Sequence, residues 1–138
     1  MAEVVLISCV KSKRTSPCAA GEMYTSPLFR KMLAYAKGLR PRQIFILSAK
    51  YGLLELERVI DPYELTLNTM RSSARAAWAE DVLTHLREKT DLQKDHIVFL
   101  AGLRYRESLT AHVPHYSVPM EGMSLGRQLK WLAEQNHV

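Results

Sequence analysis

The chain has 138 residues, which suits one domain over residues 1–138, and its 47% hydrophobic and 24% charged residues are ordinary for a globular protein. The 19 Lys and Arg against 14 Asp and Glu give a net charge of +5, which favours a polyanionic partner, although a basic surface also serves plain solubility. The 2 cysteines and 5 scattered histidines exclude a disulfide framework and a zinc-finger spacing.

The amino terminus and the apolar runs predict a cytoplasmic protein with no membrane association. The first three residues lack the basic region of a signal peptide, and the apolar run after them covers only residues 4–7. No apolar stretch approaches the ~20 residues that cross a bilayer. We expect reduced thiols, no bound metal ion and no cofactor.

The first predicted elements are a strand and a capped helix. Residues 4–7 are apolar on both faces, as in a central parallel strand covered by helices. After a polar, basic loop, Ser26 and Pro27 predict a helix start, because a hydroxyl cap and a proline at the first helical position favour one. The helix is predicted over residues 28–37 and ends at Gly38. Its apolar face is predicted to consist of Leu28, Met32, Tyr35 and Ala36.

The remaining elements alternate between strands and helices. Residues 42–47 are the second predicted strand, and residues 48–67 are predicted to be irregular with short helical turns. The longest helix covers about residues 73–89, capped by Asn68 or Ser72. Residues 96–101 and 116–118 are the third and fourth strands. Helices are predicted near residues 104–112 and over residues 125–135, the latter with Leu125, Leu129 and Leu132 turned inward.

Strands that alternate with helices indicate a parallel sheet with right-handed crossovers. The predicted fold class is therefore α/β: a single three-layer domain with a roughly four-stranded, mainly parallel sheet flanked by helices. The polar clusters of the chain follow strands. Because ligands of open α/β sheets bind outside the carboxyl ends of the strands, we expect these clusters to share one pocket.

The loop after the first strand carries Ser8, Cys9 and Lys11. Backbone amides, a hydroxyl and a lysine at a strand end suit a phosphate group, which Lys13 could also contact. The glycines of a P-loop are missing. Cys9 could act as a nucleophile if nearby lysines stabilise its thiolate. The alternative is that Cys9 is a small residue packed beneath the sheet edge.

Ser48, Lys50, Tyr51 and Gly52 follow the second strand. Lys50 could hold a phosphate, form a Schiff base as a desolvated amine, or be a solvated surface lysine. Gly52 provides either a positive φ or room for a ligand beside the backbone. Lys50 is therefore a candidate catalytic residue, and the other three are candidate substrate contacts.

The tripeptide Asp61-Pro62-Tyr63 is the sharpest local signal. Pro62 keeps Asp61 out of the α region and stiffens the loop. The Asp61 carboxylate could then orient a water molecule or stabilise a cationic transition state. Tyr63 could stack on a planar ring. The alternative is a turn in which Asp61 hydrogen-bonds to the local backbone.

Two later loops add candidates. Gly102, Arg104 and Tyr105 follow the third strand, where arginine beside tyrosine suits a nucleic-acid backbone and a stacked base. The alternative is a helix face with solvated Arg–Glu pairs. Glu121 and Gly122 follow the fourth strand. Glu121 offers a second carboxylate for acid–base catalysis, or else a helix cap or a salt bridge.

The motif Leu47-Ser48-x-x-Tyr51-Gly52-x-Leu54, followed by Pro62-Tyr63-x-Leu65, resembles the central motif of the YaaA-type peroxide-stress proteins. The opening Ile7-Ser8-x-x-Lys11 and the segment around Tyr105 are similar to theirs. Small bacterial and phage proteins with the element Tyr24-Thr25-x-x-Leu28-Phe29 are more similar still. YaaA-type proteins carry an added helical DNA-binding region that we do not expect in this chain. The resemblance therefore implies a DNA-related role without their whole mode of binding.

Two weaker resemblances point to nucleobase chemistry. Asp61-Pro62-Tyr63 resembles the water-activating Asp-Pro-Tyr of uracil-DNA glycosylases, although the Gly-Gln and His that surround that motif are absent here. Pro17-Cys18 with Tyr24-x-Ser26 loosely resembles archaeosine synthase, which acts on a modified base in tRNA.

Together these observations predict a nucleobase-directed N-glycosidase, a DNA glycosylase that removes a modified or damaged base, with phage defence as one setting. An extruded base would occupy the pocket. Asp61 would position water, Lys50 is the Schiff-base alternative and Glu121 is the second carboxylate. Two other functions stay open: a non-catalytic DNA-binding stress protein, and an enzyme that acts on a free nucleotide or nucleoside.

Overall fold

The structure is a computed structural model that describes residues 2–8 and 13–136. Its strands are β1 (Glu3–Ser8), β2 (Cys18–Ala19), β3 (Gln43–Ser48), β4 (Gly52–Glu55), β5 (Val59–Ile60), β6 (His96–Leu100) and β7 (Tyr116–Ser117). Its helices are α1 (Ala20–Met23), α2 (Pro27–Gly38), α3 (Ser72–Lys89), α4 (Leu103–Thr110) and α5 (Leu125–Gln135), with a 3₁₀ turn at Leu67–Thr69.

Strand β1 lies at the centre of a five-stranded sheet with the order β4-β3-β1-β6-β7. It is parallel to β3 on one side and to β6 on the other, with Val5 opposite both Ile44 and Val98. Strand β7 extends the parallel part, and only β4, at the far edge, is antiparallel. The mainly parallel sheet predicted from the sequence is confirmed.

The crossovers of the sheet place its helices on opposite faces. The chain runs from β1 through α2 to β3, and then from β3 through α3 past β1 to β6. Right-handed crossovers that run in opposite directions along a sheet put their helices on opposite faces. Helix α5 packs against α2, and α4 packs against α3. The result is a three-layer α/β fold in which residues 4–7 of β1 are all 0% exposed, which explains why they are apolar on both faces.

Helix α2 begins as the sequence predicts. The Ser26 Oγ accepts a hydrogen bond from the Phe29 backbone N–H at 3.1 Å, and Pro27 is the first helical residue. The buried face of the helix differs from the predicted one, since the predicted Leu28 and Tyr35 are only half-buried at its margins. The buried residues are Phe29, Met32, Leu33 and Ala36.

The segment 48–67 is more regular than predicted. After a turn at residues 49–51, Gly52 begins β4, in which Leu53 lies opposite Leu47 of β3. Strand β5 then pairs with β2 in a separate two-stranded antiparallel sheet. The sequence predicts about four strands, and β4 is the fifth of the main sheet. A four-residue strand is too short to show a period of two, so this hairpin left no clear pattern.

The predicted caps of α3 are wrong. The helix begins at Ser72 with Arg71 at the N-cap position, and no side chain caps it. The Asn68 backbone N–H instead donates to Thr66 Oγ1 at 3.3 Å in the preceding 3₁₀ turn. Helix α3 has 18 residues, and neither it nor any other helix within residues 2–8 and 13–136 has the length and apolar character needed to cross a bilayer.

Helix α5 has the predicted bounds but a narrower buried face. Leu132 is buried and Leu129 is half-buried, whereas Leu125 is 59% exposed and does not turn inward. The Ser124 Oγ caps the helix by accepting a hydrogen bond from the Arg127 N–H at 3.3 Å. Leu125 is the first helical residue, where the helix has not yet come over the core.

Candidate functional site

A cleft of about 930 Å³ opens at the carboxyl ends of β1, β6 and β7. Strand β1 ends at Ser8, Ala101 and Gly102 follow β6, and Val118 follows β7; all four residues line the cleft. The Gly102 N–H donates a hydrogen bond to Ser8 Oγ at 3.3 Å and so joins the ends of two neighbouring strands. The strand ends converge here as the sequence predicts.

The cleft lies where the connections of two adjacent strands diverge. The chain leaves β1 towards α2 on one face of the sheet and leaves β6 towards α4, which packs with α3 on the other face. A gap therefore opens between the ends of β1 and β6. In open α/β sheets such a switch point is the usual position of a bound ligand.

The floor of the cleft is apolar, and its lining also includes polar side chains. Phe99 and Leu100 of β6 line it together with Met32 of α2 and Met120, and all four side chains are buried. The polar side chains of the lining include Lys13, Glu64, Thr66, Asn68, Thr69, Arg106 and Gln128. An apolar pocket with a few convergent polar groups is the usual form of a small-molecule site.

Tyr105 ties α4 to the segment that carries Glu64. Its side chain is 5% exposed, and its ring packs edge-on against Trp78 with the ring centroids 5.9 Å apart. Its hydroxyl accepts a hydrogen bond from the Leu67 N–H at 3.3 Å and lies 3.3 Å from Thr66 Oγ1. Tyr105 is therefore a fixed wall of the cleft, and its buried ring is not the open stacking platform that the sequence analysis expected.

Buried hydroxyl groups anchor the segment 61–66 from below. The Tyr24 and Tyr63 hydroxyl oxygens are 2.7 Å apart, and Ser48 Oγ donates to the Tyr63 hydroxyl at 2.9 Å. The Ser48 Oγ also accepts from the Tyr51 N–H at 3.0 Å, and the Ser48 carbonyl accepts from Trp78 Nε1–H at 2.8 Å. Ser48 is 0% exposed, so it organises the site without being able to touch a substrate.

Tyr63 is a positioning residue in this structure. It is 8% exposed, Lys13 Nζ lies 4.9 Å from its ring centroid, and the Tyr51 ring packs edge-on at 5.7 Å. A base could not stack on a ring that is covered in this way. Because Tyr63 lies between Asp61 and Glu64 in the chain, its anchored hydroxyl fixes the backbone that carries both carboxylates.

Lys50, Tyr51, Arg58 and Asp61 form a group on the surface, here called the Tyr51 cluster. Lys50 Nζ and Arg58 Cζ lie 5.3 and 5.2 Å from the centroid of the Tyr51 ring, within cation–π range. The Tyr51 hydroxyl accepts a hydrogen bond from the Asp61 N–H at 3.1 Å. Tyr51 is half-buried and the other three residues are exposed, and none of the four lines the cleft.

Arg106, rather than Arg104, is the arginine of the cleft. Its side chain is 14% exposed, donates to the Ala101 carbonyl at 2.8 Å and lies 3.8 Å from Glu121 Oε2. Arg104 is 51% exposed and pairs with Glu107 at 3.4 Å. Arg104 therefore matches the alternative of a solvated Arg–Glu pair, and Glu121 matches the alternative of a salt bridge.

A comparison with known protein families covers both the cleft and the Tyr51 cluster. A family model described as "Family of unknown function (DUF6884)" matches residues 4–134. The chain belongs to the DUF6884 family. No curated protein and no solved structure matches it. The matched range includes every described residue that lines the cleft and the whole Tyr51 cluster.

In this DUF6884 protein the predicted site residues divide into three groups. Those that line the cleft are Ser8, Gly102, Tyr105 and Gly122. Those that lie outside its lining are Ser48, Lys50, Tyr51, Gly52, Asp61, Tyr63, Arg104 and Glu121. Cys9 and Lys11 lie outside the described residues. The single pocket that the sequence analysis expected therefore contains only part of the predicted set.

The polar residues of the DUF6884 cleft that were not predicted as site residues include Arg106 and also Glu64, Asn68 and Gln128. A signal for Glu64 was present, since it directly follows Asp61-Pro62-Tyr63. Gln128 has no local signal, because it reaches the cleft only through the packing of α5 on α2. Within the described part of the chain, neither Asp61 nor Glu64 has an ion-pair partner.

Among the described residues, the charged side chains that line the cleft are the cations Lys13 and Arg106 and the carboxylate Glu64. In residues 2–8 and 13–136, no three His, Cys, Asp or Glu side chains are arranged to share a metal ion. The arrangement can therefore hold an anionic group near the cations and place a carboxylate close to an uncharged ring on the apolar floor.

Proposed function

We propose that this DUF6884 protein is a nucleobase-directed N-glycosidase that removes a modified or damaged base from DNA. The observation that carries the proposal is the position of Glu64, a carboxylate without an ion-pair partner among the described residues, at an apolar cleft. Hydrolysis of a glycosidic bond builds positive charge on the sugar in the transition state, and a fixed carboxylate stabilises that charge.

The dimensions and lining of the cleft suit a nucleoside. Its volume of about 930 Å³ falls within the roughly 300–1,000 Å³ of small-molecule pockets. Val118 and Met123, which line the cleft and are half-buried, present apolar surface to a planar ring. The amide groups of Asn68 and Gln128 can both donate and accept hydrogen bonds, as the polar edge of a base requires.

In the proposed reaction a water molecule attacks C1′ of the sugar. Its oxygen bonds to C1′ while the C1′–N bond to the base breaks, and the electron pair of that bond leaves with the base. Glu64 accepts a proton from the attacking water, and the departing base takes up a proton from solvent. The products are the free base and an abasic site.

Asp61 is the second candidate for the catalytic carboxylate. The Tyr51 hydroxyl holds its backbone N–H, and the side chain is exposed outside the lining of the cleft. Glu64 takes the first position because it lines the cleft. Lys50 is exposed beside the Tyr51 ring, which favours a phosphate contact over a desolvated Schiff-base amine.

Charge and resemblance support DNA as the substrate. The net charge of +5 favours a polyanion, and Lys13 and Arg106 bring part of that charge to the cleft. The resemblances to YaaA-type proteins and to the Asp-Pro-Tyr of uracil-DNA glycosylases both concern DNA. The central motif of the first resemblance and the whole of the second lie within residues 47–65, the stretch that includes Glu64.

The deciding experiment measures alkali-induced strand cleavage of DNA after incubation with the protein. Plain, uracil-containing, alkylated, oxidised and glucosylated-hydroxymethylcytosine DNA are compared, since hot alkali breaks the strand at an abasic site. Cleavage of one substrate identifies both the activity and the base. Glu64→Gln is expected to lower the rate by ~10²–10⁴, and Asp61→Asn, the matched carboxylate control, by less than about tenfold.

The other outcomes assign a different role. Loss of cleavage in Asp61→Asn but not in Glu64→Gln would make Asp61 the catalytic carboxylate. Loss only in Lys50→Ala would establish the Schiff-base route. Tight, salt-dependent binding with no cleavage of any DNA would support the non-catalytic DNA-binding protein. Neither cleavage nor binding, with thermal stabilisation by a nucleoside or nucleotide, would support the enzyme of free nucleotides.

A further inference from the structure

Two leucine side chains are exposed on the rim of the cleft. Leu65 is 42% exposed, Leu103 is 58% exposed, and both line the cleft. The other large hydrophobic side chains exposed in the described part of the chain are Val59, Tyr116 and Leu125, and these do not line it. A single exposed leucine needs no explanation, but two exposed leucines in the lining of one cleft are a candidate contact surface.

Tyr105 holds the two leucines on the same rim. Its hydroxyl contacts Thr66 Oγ1 and the Leu67 N–H, both at 3.3 Å, directly after Leu65 in the chain. Leu103 precedes Tyr105 by two residues in the first turn of α4. Because Tyr105 is 5% exposed and packed on Trp78, the two segments are pinned together. Leu65 and Leu103 are here called the leucine edge.

Positive charge accompanies the leucine edge. Arg104 directly follows Leu103 and is 51% exposed beside Glu107, Lys13 and Arg106 line the same cleft, and the whole chain carries a net charge of +5. A partner that matches both features presents negative charge beside apolar surface. Double-stranded DNA has both features, because phosphates flank a stack of apolar base faces. In single-stranded DNA, by contrast, extrusion of a base leaves no space in a paired base stack for a side chain to fill.

We propose that Leu65 and Leu103 form a wedge that enters the base stack of double-stranded DNA and fills the space of the base extruded into the cleft. The inference rests on the proposed function, and it names the substrate as a duplex. Extrusion exposes the glycosidic bond, which a stacked duplex conceals. Apolar side chains that enter a base step unstack it and kink the helix, so the leucine edge would hold the duplex open while the base occupies the cleft.

The first measurement is base unstacking, which does not depend on base release. The probe is a duplex oligonucleotide with 2-aminopurine beside a tetrahydrofuran abasic-site analogue, and 2-aminopurine fluorescence rises when the base leaves the stack. The wild-type protein is expected to raise the fluorescence several-fold. Leu103→Ala, and more fully Leu65→Ala/Leu103→Ala, should lose most of that rise. Leu125→Ala is the matched control, since Leu125 is 59% exposed and does not line the cleft.

The second measurement compares base release from duplex and single-stranded forms of the substrate found by alkaline cleavage. Leu103→Ala should slow release from the duplex at least about tenfold more than it slows release from the single strand. Because Leu103 is exposed, its truncation is not expected to unfold the protein, which a thermal melt checks.

The outcomes for the wedge and for the glycosidase are separable. A fluorescence rise and a duplex rate unchanged in Leu65→Ala/Leu103→Ala would overturn the wedge and leave the glycosidase intact. A rise that depends on Leu103, without base release from any DNA, would support the wedge and remove the glycosidase. No rise with the wild-type protein, or an equal loss in Leu125→Ala, would also overturn the wedge.

Discussion

The cleft and the Tyr51 cluster both follow the carboxyl end of a parallel strand, yet only one of them is a cavity. The chains that leave β1 and β6 diverge to opposite faces, so Ser8 and Gly102 border an open space. Strand β3 is followed by an antiparallel neighbour, and Gly52 of β4 pairs with Ser48 at its end. Polar residues after a strand therefore form a pocket only where the connections diverge, because a hairpin fills the same space with backbone.

The two regions also differ in what their tyrosines hold. Tyr105 is buried, and its hydroxyl satisfies a backbone N–H inside the cleft wall. Tyr51 is half-buried, and its hydroxyl holds the exposed Asp61 N–H. Water can replace the second hydrogen bond but not the first. Loss of the Tyr105 hydroxyl should therefore destabilise the fold more than loss of the Tyr51 hydroxyl.

The largest expected effect on stability comes from removing the Tyr105 hydroxyl. Tyr105→Phe leaves the buried Leu67 N–H without this acceptor, and the free energy of unfolding should fall by about 2 kcal/mol. Tyr51→Phe should lower it by about 0.5 kcal/mol. Urea unfolding of both variants measures the difference. Equal losses would mean that water reaches both hydroxyl groups and would remove the distinction between the two regions.

Asp95→Asn tests whether lost stability by itself impairs the cleft. Asp95 lies at the amino edge of the sheet, where its carboxylate accepts hydrogen bonds from the Asp91 N–H at 2.9 Å and from Arg42 at 2.6 Å. The Asp91 N–H, helped by Arg42, holds the pKa of Asp95 below its ordinary value, although burial acts in the opposite direction. Because the charged form is favoured in the folded state, this stabilisation is present above the unfolded pKa near 4. It is lost as the pH falls through the lower folded pKa.

The expected loss for Asp95→Asn at pH 7 is about 1.5 kcal/mol, at the low end for a charged hydrogen bond because the Arg42 side chain is 45% exposed. The difference from wild type should shrink below about pH 4. Unfolding at several pH values measures it. Base release and DNA binding at pH 7 should not change, and a loss of either would show that the cleft responds to general stability.

Gly52→Ala tests the turn that closes the end of β3. Gly52 has φ of 73°, and a Cβ there would lie 2.8 Å from Asp81 Oδ2. The Asp81 side chain is 58% exposed and can move aside, so the backbone strain decides the cost, about 1–2 kcal/mol. Gly126→Ala is the matched control, since its Cβ would meet nothing within 4 Å in a helix. It should be neutral or stabilising by up to about 1 kcal/mol.

The smallest expected effect concerns the salt dependence of DNA binding. If the Tyr51 cluster contacts the DNA backbone, Lys50→Gln and Arg58→Gln should each reduce the slope of log K against log salt by about 1. Lys94→Gln, an exposed lysine beyond the other end of the sheet, should not change the slope. Unchanged slopes for Lys50→Gln and Arg58→Gln would leave the cleft rim as the basic surface of the site.

Much of the fold could be predicted from the sequence. The apolar run at residues 4–7 predicted a central strand, and Ser26 with Pro27 predicted the start of α2, because both depend on burial pattern or on backbone groups one turn away. Strand β4 was not predicted because a four-residue strand is too short to show a clear alternation of apolar and polar residues. The buried face of α2 differs from the predicted one because Phe29 and Leu33, rather than Leu28 and Tyr35, contact the core.

The site was predicted only in part, for a physical reason. Local sequence indicates which residues follow strands, and that was enough for Ser8, Gly102 and Gly122, which line the cleft. It does not indicate whether the next segment crosses to another face or folds back as a hairpin, and that choice put Asp61 on the surface. The place of Glu64 and Gln128 in one cleft depends on how distant segments pack across the β1–β6 junction. Only the tertiary structure contains that information, because side chains far apart in the chain meet there.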